Sequence, residues 1–152
     1  MTHNAGLTLR LQRVLRAPRA VVFRALTEPR ELAEWWGPDG FTVPRVESDL
    51  RTGGGYRIAM QPPEGDLFHL AGEFSAVEPP ARLSFTFRWE EPDPDDRETA
   101  VTLLLRDLGG RSTELVLTHG QFATDERYAL HEEGWTQSLD KLERLMSADT
   151  SG

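Results

Sequence analysis

The chain has 152 residues, enough for one well-buried core and short for two. Seventeen Lys and Arg against 25 Asp and Glu leave a net charge of -8, with the basic residues dispersed among acidic ones, so a phosphate backbone is repelled and nucleic acid is excluded as a partner. With no cysteine there is no disulfide framework, thiol nucleophile or thiolate metal site, and no apolar run approaches the ~20 residues that a membrane-spanning helix needs.

At the start of the chain, Met1 to Gln12 carry no basic segment followed by an apolar stretch, so no secretory leader is expected and a cytoplasmic location is assigned. Leu7, Leu9 and Leu11 alternate with Thr8 and Arg10 at the period of a half-buried strand. The phase breaks at Gln12-Arg13 before Val14-Leu15, which predicts a bulge in that opening strand. Pro18 stands where a first helical residue often stands, and Val21, Val22, Ala25 and Leu26 recur at helical spacing until Pro29 forbids continuation. Leu32, Trp35 and Trp36 share one face before Gly37-Pro38, which predicts a second short helix.

From Phe41 onward the period becomes two. Strands are expected over Val43 to Leu50, Tyr56 to Met60, Leu70 to Val77, Leu83 to Glu90, Ala100 to Arg106 and Glu114 to His119. Glycine- and proline-rich turns separate them, so neighbours run antiparallel in a meander. In the clearest strand Leu83, Phe85, Phe87 and Trp89 face one side, while Ser84, Thr86, Arg88 and Glu90 face the other. Burying each such ring or leucine contributes about 1.5 to 3 kcal/mol, so this face needs a cover. After Thr124-Asp125, a candidate N-cap, Tyr128, His131, Trp135, Leu139, Leu142 and Met146 form a helical stripe. About 22 residues give a helix of roughly 33 Å, long enough to cross the sheet. One domain over residues 1–147 is expected, followed by a disordered tail at 148–152, with the acidic stretch Glu90 to Glu98 as a hairpin loop.

Four strings stand in this order: Ala17-Pro18-Arg19-Ala20-Val21-Val22-Phe23-Arg24-Ala25-Leu26-Thr27, Trp35-Trp36-Gly37-Pro38, Asp49-Leu50-Arg51-Thr52-Gly53-Gly54-Gly55-Tyr56, and His131-Glu132-Glu133-Gly134-Trp135 leading to Leu139 and Leu142. Together with the element order, they make the chain resemble the START-like (SRPBCC) superfamily, in particular the bacterial branch similar to the C-terminal domain of the activator of Hsp90 ATPase. The resemblance covers Leu7 to Met146. It implies an α+β helix-grip fold, START/Bet v1-like, with a curved antiparallel sheet, two short helices, and a cavity between the sheet and a long C-terminal helix. Relatives of this kind bind diverse apolar ligands, assist a chaperone or, in cousins, catalyse cyclisation.

The expected ligand-binding set is Trp36, Phe41, Tyr56, Phe74, Phe85, Trp89 and Trp135, with His119 as a polar anchor. Ordinary core packing is the competing reading of these rings. His119 shares the parity of Leu115 and Leu117 and so points to the covered face, but no carboxylate stands at a recognisable spacing from it. A structural, hydrogen-bonded histidine is the alternative. A zinc helix would want a second histidine four residues after His131, where Trp135 stands, so no metal is assigned. Gly134 within a helix predicts a close backbone approach to the sheet or to a ligand. Gly53-Gly54-Gly55 leads into a strand and not a helix, and reads as a hairpin turn.

The leading function is a binder of a small apolar or amphipathic molecule, needing no cofactor. The alternatives are a cyclase or aromatase-like enzyme using the same cavity, with His119 or Tyr56 transferring a proton, and a protein-interaction module of the Hsp90-activator kind. No catalytic residue is assigned, a chaperone partner is not expected, and a homodimer is left open.

Overall fold

The computed structural model describes residues 7–91 and 97–150, with side chains to residue 147. Seven alternating segments become seven strands: β1 (Leu9–Leu15), β2 (Thr42–Ser48), β3 (Gly55–Gln61), β4 (Phe68–Glu78), β5 (Arg82–Trp89), β6 (Thr99–Gly109) and β7 (Ser112–Gly120). They form one antiparallel sheet in the order β1-β7-β6-β5-β4-β3-β2. The strands after β1 make the expected meander, and β1 closes it by pairing with β7 from Leu9↔His119 to Leu15↔Thr113.

That pairing corrects one expectation, because β1 has no bulge and its register is unbroken. The phase holds because Arg13, not Val14, turns inward. Its guanidinium reaches Asp140 (3.4 Å) and Glu143 (3.3 Å), while Val14 is 54% exposed. A long aliphatic stem with a charged tip can occupy an inward position at a sheet edge, whereas a purely binary reading counts it as polar and outward. Register shifts occur instead at Thr42/Arg45, Phe74/Ala76 and Asp107/Gly109. The first of these adjoins Pro44 on β2, which lies at the free edge of the sheet.

Between β1 and β2 run α1 (Arg19–Thr27) and α2 (Pro29–Trp35). Pro29 both ends the first helix and opens the second, where its missing N–H costs nothing. Trp35 ties the two together by donating from Nε1 to the Ala25 carbonyl at 2.9 Å. Trp36, expected inside the second helix, is its C-cap with extended backbone.

The long helix α3 (Asp125–Thr150) starts under a Thr124 cap, whose hydroxyl accepts from the Arg127 N–H at 3.1 Å. Its expected stripe is buried from His131 on, with Tyr128 half-buried: Trp135, Leu139, Leu142 and Met146 join Leu9, Leu15, Leu103, Leu115 and Leu117 in one core. The helix covers the Phe87 end of the apolar face through His131 and Trp135, while Leu83 and Phe85 share a small space with Leu26, Leu32 and Trp35 of α1 and α2. Residues 92–96 of the acidic loop and 151–152 of the expected tail lie outside the described residues. Among the described residues no helix is long and apolar enough to cross a membrane.

Candidate functional site

Where α3 crosses the sheet the two do not meet along their whole length. Side chains at i and i+4 share one helix face, and among the α3 residues that line the gap Gly134 and Ser138 form one such pair, beside the bulkier His131 and Trp135. The Ser138 hydroxyl folds back to donate to the Gly134 carbonyl at 2.9 Å, so neither residue projects far. The gap is a cavity of about 390 Å³, within the range of small-molecule sites. The helix also contributes Leu130, His131 and Trp135 to its wall, and the strands contribute Met60, Phe68, Phe87 and Trp89. The α2–β2 connection adds Trp36, Pro38 and Phe41. Leu130 at the rim is 52% exposed.

Rings meet edge to face around this space: Trp36 on Trp135 with centroids 5.1 Å apart, Phe41 on Phe68 at 6.0 Å, and Phe87 on Trp89 at 5.2 Å. The expected set divides accordingly. Trp36, Phe41, Trp89 and Trp135 stand on the cavity wall. Tyr56, Phe74 and Phe85 pack with one another at 5.4 to 6.3 Å, further along the same sheet face, around a chamber of only about 30 Å³ that Trp36 also borders. Sequence reasoning passed over Met60, Phe68, Phe87 and Leu130 as wall residues. Phe87 lies between Phe85 and Trp89 in the same alternation and was there to be read.

Tyr56 lies across Gly72. Its hydroxyl donates to the Thr86 carbonyl at 2.6 Å, and burial pushes its phenol far above the ordinary tyrosine range. A Cβ on Gly72 would collide with the Thr86 backbone oxygen and sit 2.7 Å from Tyr56 Cε1, so only glycine fits under the ring.

His119 is fully buried and lines neither chamber; it lies behind the wall, 4.4 Å from the Phe87 ring. Its surroundings fix its tautomer. An indole N–H can only donate, so the contact from Trp135 Nε1 to His119 Nδ1 at 2.9 Å leaves the imidazole proton on Nε2. Nε2 then donates to Thr99 Oγ1 at 2.7 Å, and the Thr99 hydroxyl donates on to the Phe87 carbonyl at 3.3 Å. Burial, with His131 nearby as a lesser cause, holds the His119 pKa well below the ordinary histidine value.

His131 repeats the arrangement in mirror image. Nδ1 faces the Arg127 carbonyl at 2.7 Å and must donate, while Nε2 accepts from Trp89 Nε1 at 3.2 Å. Both ring nitrogens of both histidines are therefore engaged. Neither imidazole offers an uncommitted lone pair for proton abstraction, and the Tyr56 hydroxyl is committed to a backbone carbonyl.

Of the two approaches predicted for Gly134, to the sheet or to a ligand, the structure lacks the first. A Cβ there would meet only Pro38 Cγ, at an ordinary 3.6 Å. Its lack of a side chain opens the cavity instead. One group of side chains among the described residues has spacing suited to a metal, His69 with Glu90 and Glu91. Glu90 already holds a two-pronged pair with Arg57, at 2.8 and 2.9 Å, which keeps its carboxyl below the usual range. The cluster is accounted for as an ion-pair network at a strand end.

Comparison with known proteins agrees with this architecture. The family model described as activator of Hsp90 ATPase homolog 1-like protein matches residues 16–147. Protein NE0264 from Nitrosomonas europaea is 30% identical over 97% of this chain and 99% of its own, with a TM-score of 0.80. The AHSA1 protein SPO3351 from Silicibacter pomeroyi is 32% identical over 93% and 99%, also at 0.80. CV1439 from Chromobacterium violaceum is 28% identical over 93% and 97%, at 0.81. Among curated proteins nothing matches the chain. With the family model spanning most of its length and full-length relatives sharing its helix-over-sheet plan, the chain belongs to the activator of Hsp90 ATPase homolog 1-like family.

Proposed function

We propose that this protein binds a small apolar or amphipathic molecule between α3 and the sheet, without transforming it. The observation that carries the reading is the cavity of about 390 Å³, walled by aromatic rings and narrowed by no side chain at Gly134. A cyclase-like reaction would need a group that can take or give a proton in the chamber; His119, His131 and Tyr56 have those atoms committed elsewhere, and Glu91 at the mouth already accepts from the His69 N–H at 3.0 Å. The chaperone-activator reading rests on fold likeness alone. A cytoplasmic site of action fits the cysteine-free composition.

The test is titration with N-phenyl-1-naphthylamine, an uncharged apolar fluorophore. Saturable binding of one probe per chain is expected, and Gly134→Leu, which fills the cavity, should abolish it. Absence of saturable binding to the folded protein, or undiminished binding to the leucine variant, would overturn the reading.

A further inference from the structure

A tryptophan carries one indole N–H that can only donate, and in apolar surroundings that group needs an acceptor. Three of the four tryptophans find one within the protein: Trp35 donates to the Ala25 carbonyl at 2.9 Å, Trp89 to His131 Nε2 at 3.2 Å and Trp135 to His119 Nδ1 at 2.9 Å. Trp36 differs. Only 7% of its surface is exposed, yet among the described residues no group accepts from its Nε1. Its backbone N–H is satisfied by the Leu32 carbonyl at 3.0 Å, so the indole proton is the donor this residue has left. Nor is that nitrogen sealed by packed atoms. The spaces that Trp36 borders are the main cavity of about 390 Å³ and the chamber of about 30 Å³, the second too small for an organic molecule.

The other uncharged donors on the main wall are in use. Besides the two indoles, Ser138 donates to the Gly134 carbonyl at 2.9 Å and His131 Nδ1 to the Arg127 carbonyl at 2.7 Å. Arg127 and Glu91 put one charge of each sign on the lining, which favours neither an anion nor a cation.

We propose that Trp36 Nε1 is the polar anchor of the cavity, and that the ligand is an uncharged ring compound with an acceptor oxygen, such as a ketone or an ether, that takes this proton. The proposal rests on the binding reading above and narrows it, and the anchoring role that the sequence suggests for His119 passes to Trp36. A guest without an acceptor displaces water from the indole N–H and returns nothing, so a site of this kind discriminates against it. The local fold suits the role. Trp36 ends α2 in extended backbone, and Gly37 follows at a φ of 95°, a conformation that glycine takes freely. The ring lies against Trp35 and Trp135, with centroids 5.5 and 5.1 Å away, so packing and not a hydrogen bond holds it. An N–H to ring contact is weak beside a bond to oxygen. A ligand therefore recruits this proton without breaking a hydrogen bond that the protein makes, whereas recruiting Trp89 or Trp135 would cost one to a histidine.

The test uses 2-acetylnaphthalene and 2-isopropenylnaphthalene, which have nearly the same shape and differ in a carbonyl oxygen against a methylene carbon. Each is titrated into the full chain while nitrogen-edited NMR follows the four indole N–H resonances, assigned through bonds on the unaltered protein. The ketone should move the Trp36 proton downfield and the hydrocarbon should not, with the three bonded indoles as references for ring effects. The ratio of dissociation constants, hydrocarbon over ketone, should fall about fivefold or more in Trp36→Phe, which keeps a ring and removes the donor. The NMR comparison decides the matter even if that variant fails to fold. Saturable binding of both compounds with equal responses at Trp36, or a ratio unchanged in Trp36→Phe, would overturn the proposal and leave the binding reading standing. If neither compound binds saturably to the folded protein, and N-phenyl-1-naphthylamine does not either, the binding reading falls and the anchor with it.

Discussion

Gly134→Ala separates a cavity-forming glycine from a packing glycine. A helix-interior alanine is favoured over glycine by about 1 kcal/mol, and this gain survives only if the new methyl meets no obstacle. Here its nearest neighbour outside the helix would be Pro38 Cγ at 3.6 Å, an ordinary contact, so little of the gain is lost to strain. For a chain of this length 1 kcal/mol corresponds to a rise of roughly 2–4 °C in Tm. The same methyl intrudes on the 390 Å³ chamber and should weaken binding of a probe that fills it. Thermal unfolding and probe titration on one preparation therefore move in opposite directions, with stability up and affinity down. A variant destabilised by more than about 1 kcal/mol would show that the helix backbone approaches its surroundings more closely than the geometry allows, and the reasoning would fail.

Two further substitutions test the packing on either side of the site. Gly72→Ala should cost about 3 kcal/mol or more in chemical denaturation, because its Cβ has no space between Thr86 and Tyr56 and relief requires breaking the Tyr56 hydroxyl bond. A cost below about 1 kcal/mol would mean that the strand can shift. Leu142→Ala, in the core beneath α3, should lose about 2–5 kcal/mol, whereas Leu130→Ala on the rim should stay within about 0.5 kcal/mol of the parent while lowering probe affinity. Equal stability losses at the two leucines would contradict the placement of the rim.

The architecture was readable because its signals are long and regular. The alternation of Leu83 to Glu90 and the stripe from Trp135 to Met146 each repeat often enough to fix a face, and the burial of both agrees. The site was less readable. Alternation says which side of a sheet a ring faces but not how far along the sheet it sits, so Tyr56, Phe74 and Phe85 were grouped with Trp89 although they pack around a different space. What locates the cavity is an absence of side-chain volume, Gly134 with Ser138, and small residues carry no hydrophobic signal of their own. Hydrogen-bond partners are likewise invisible to periodicity: Trp135 and His119 lie 16 positions apart on different elements, and only the fold brings nitrogen to nitrogen. The misread phase of β1 has the same origin, because the partners of Arg13 are more than a hundred residues away.

The sheet is open at both margins, β1 on one side and β2 on the other, and each margin is built to repel another strand. On β2, Pro44 removes a ladder donor, the neighbouring irregularity bends the backbone, and Arg45 and Glu47 pair with each other at 2.6 Å. On β1, Arg10 and Gln12 present charge and polarity where an intruding chain would have to zip. A protein that keeps a greasy hollow open beside a seven-stranded sheet runs a risk of sticking to its copies. These margins direct that risk away from strand-to-strand aggregation.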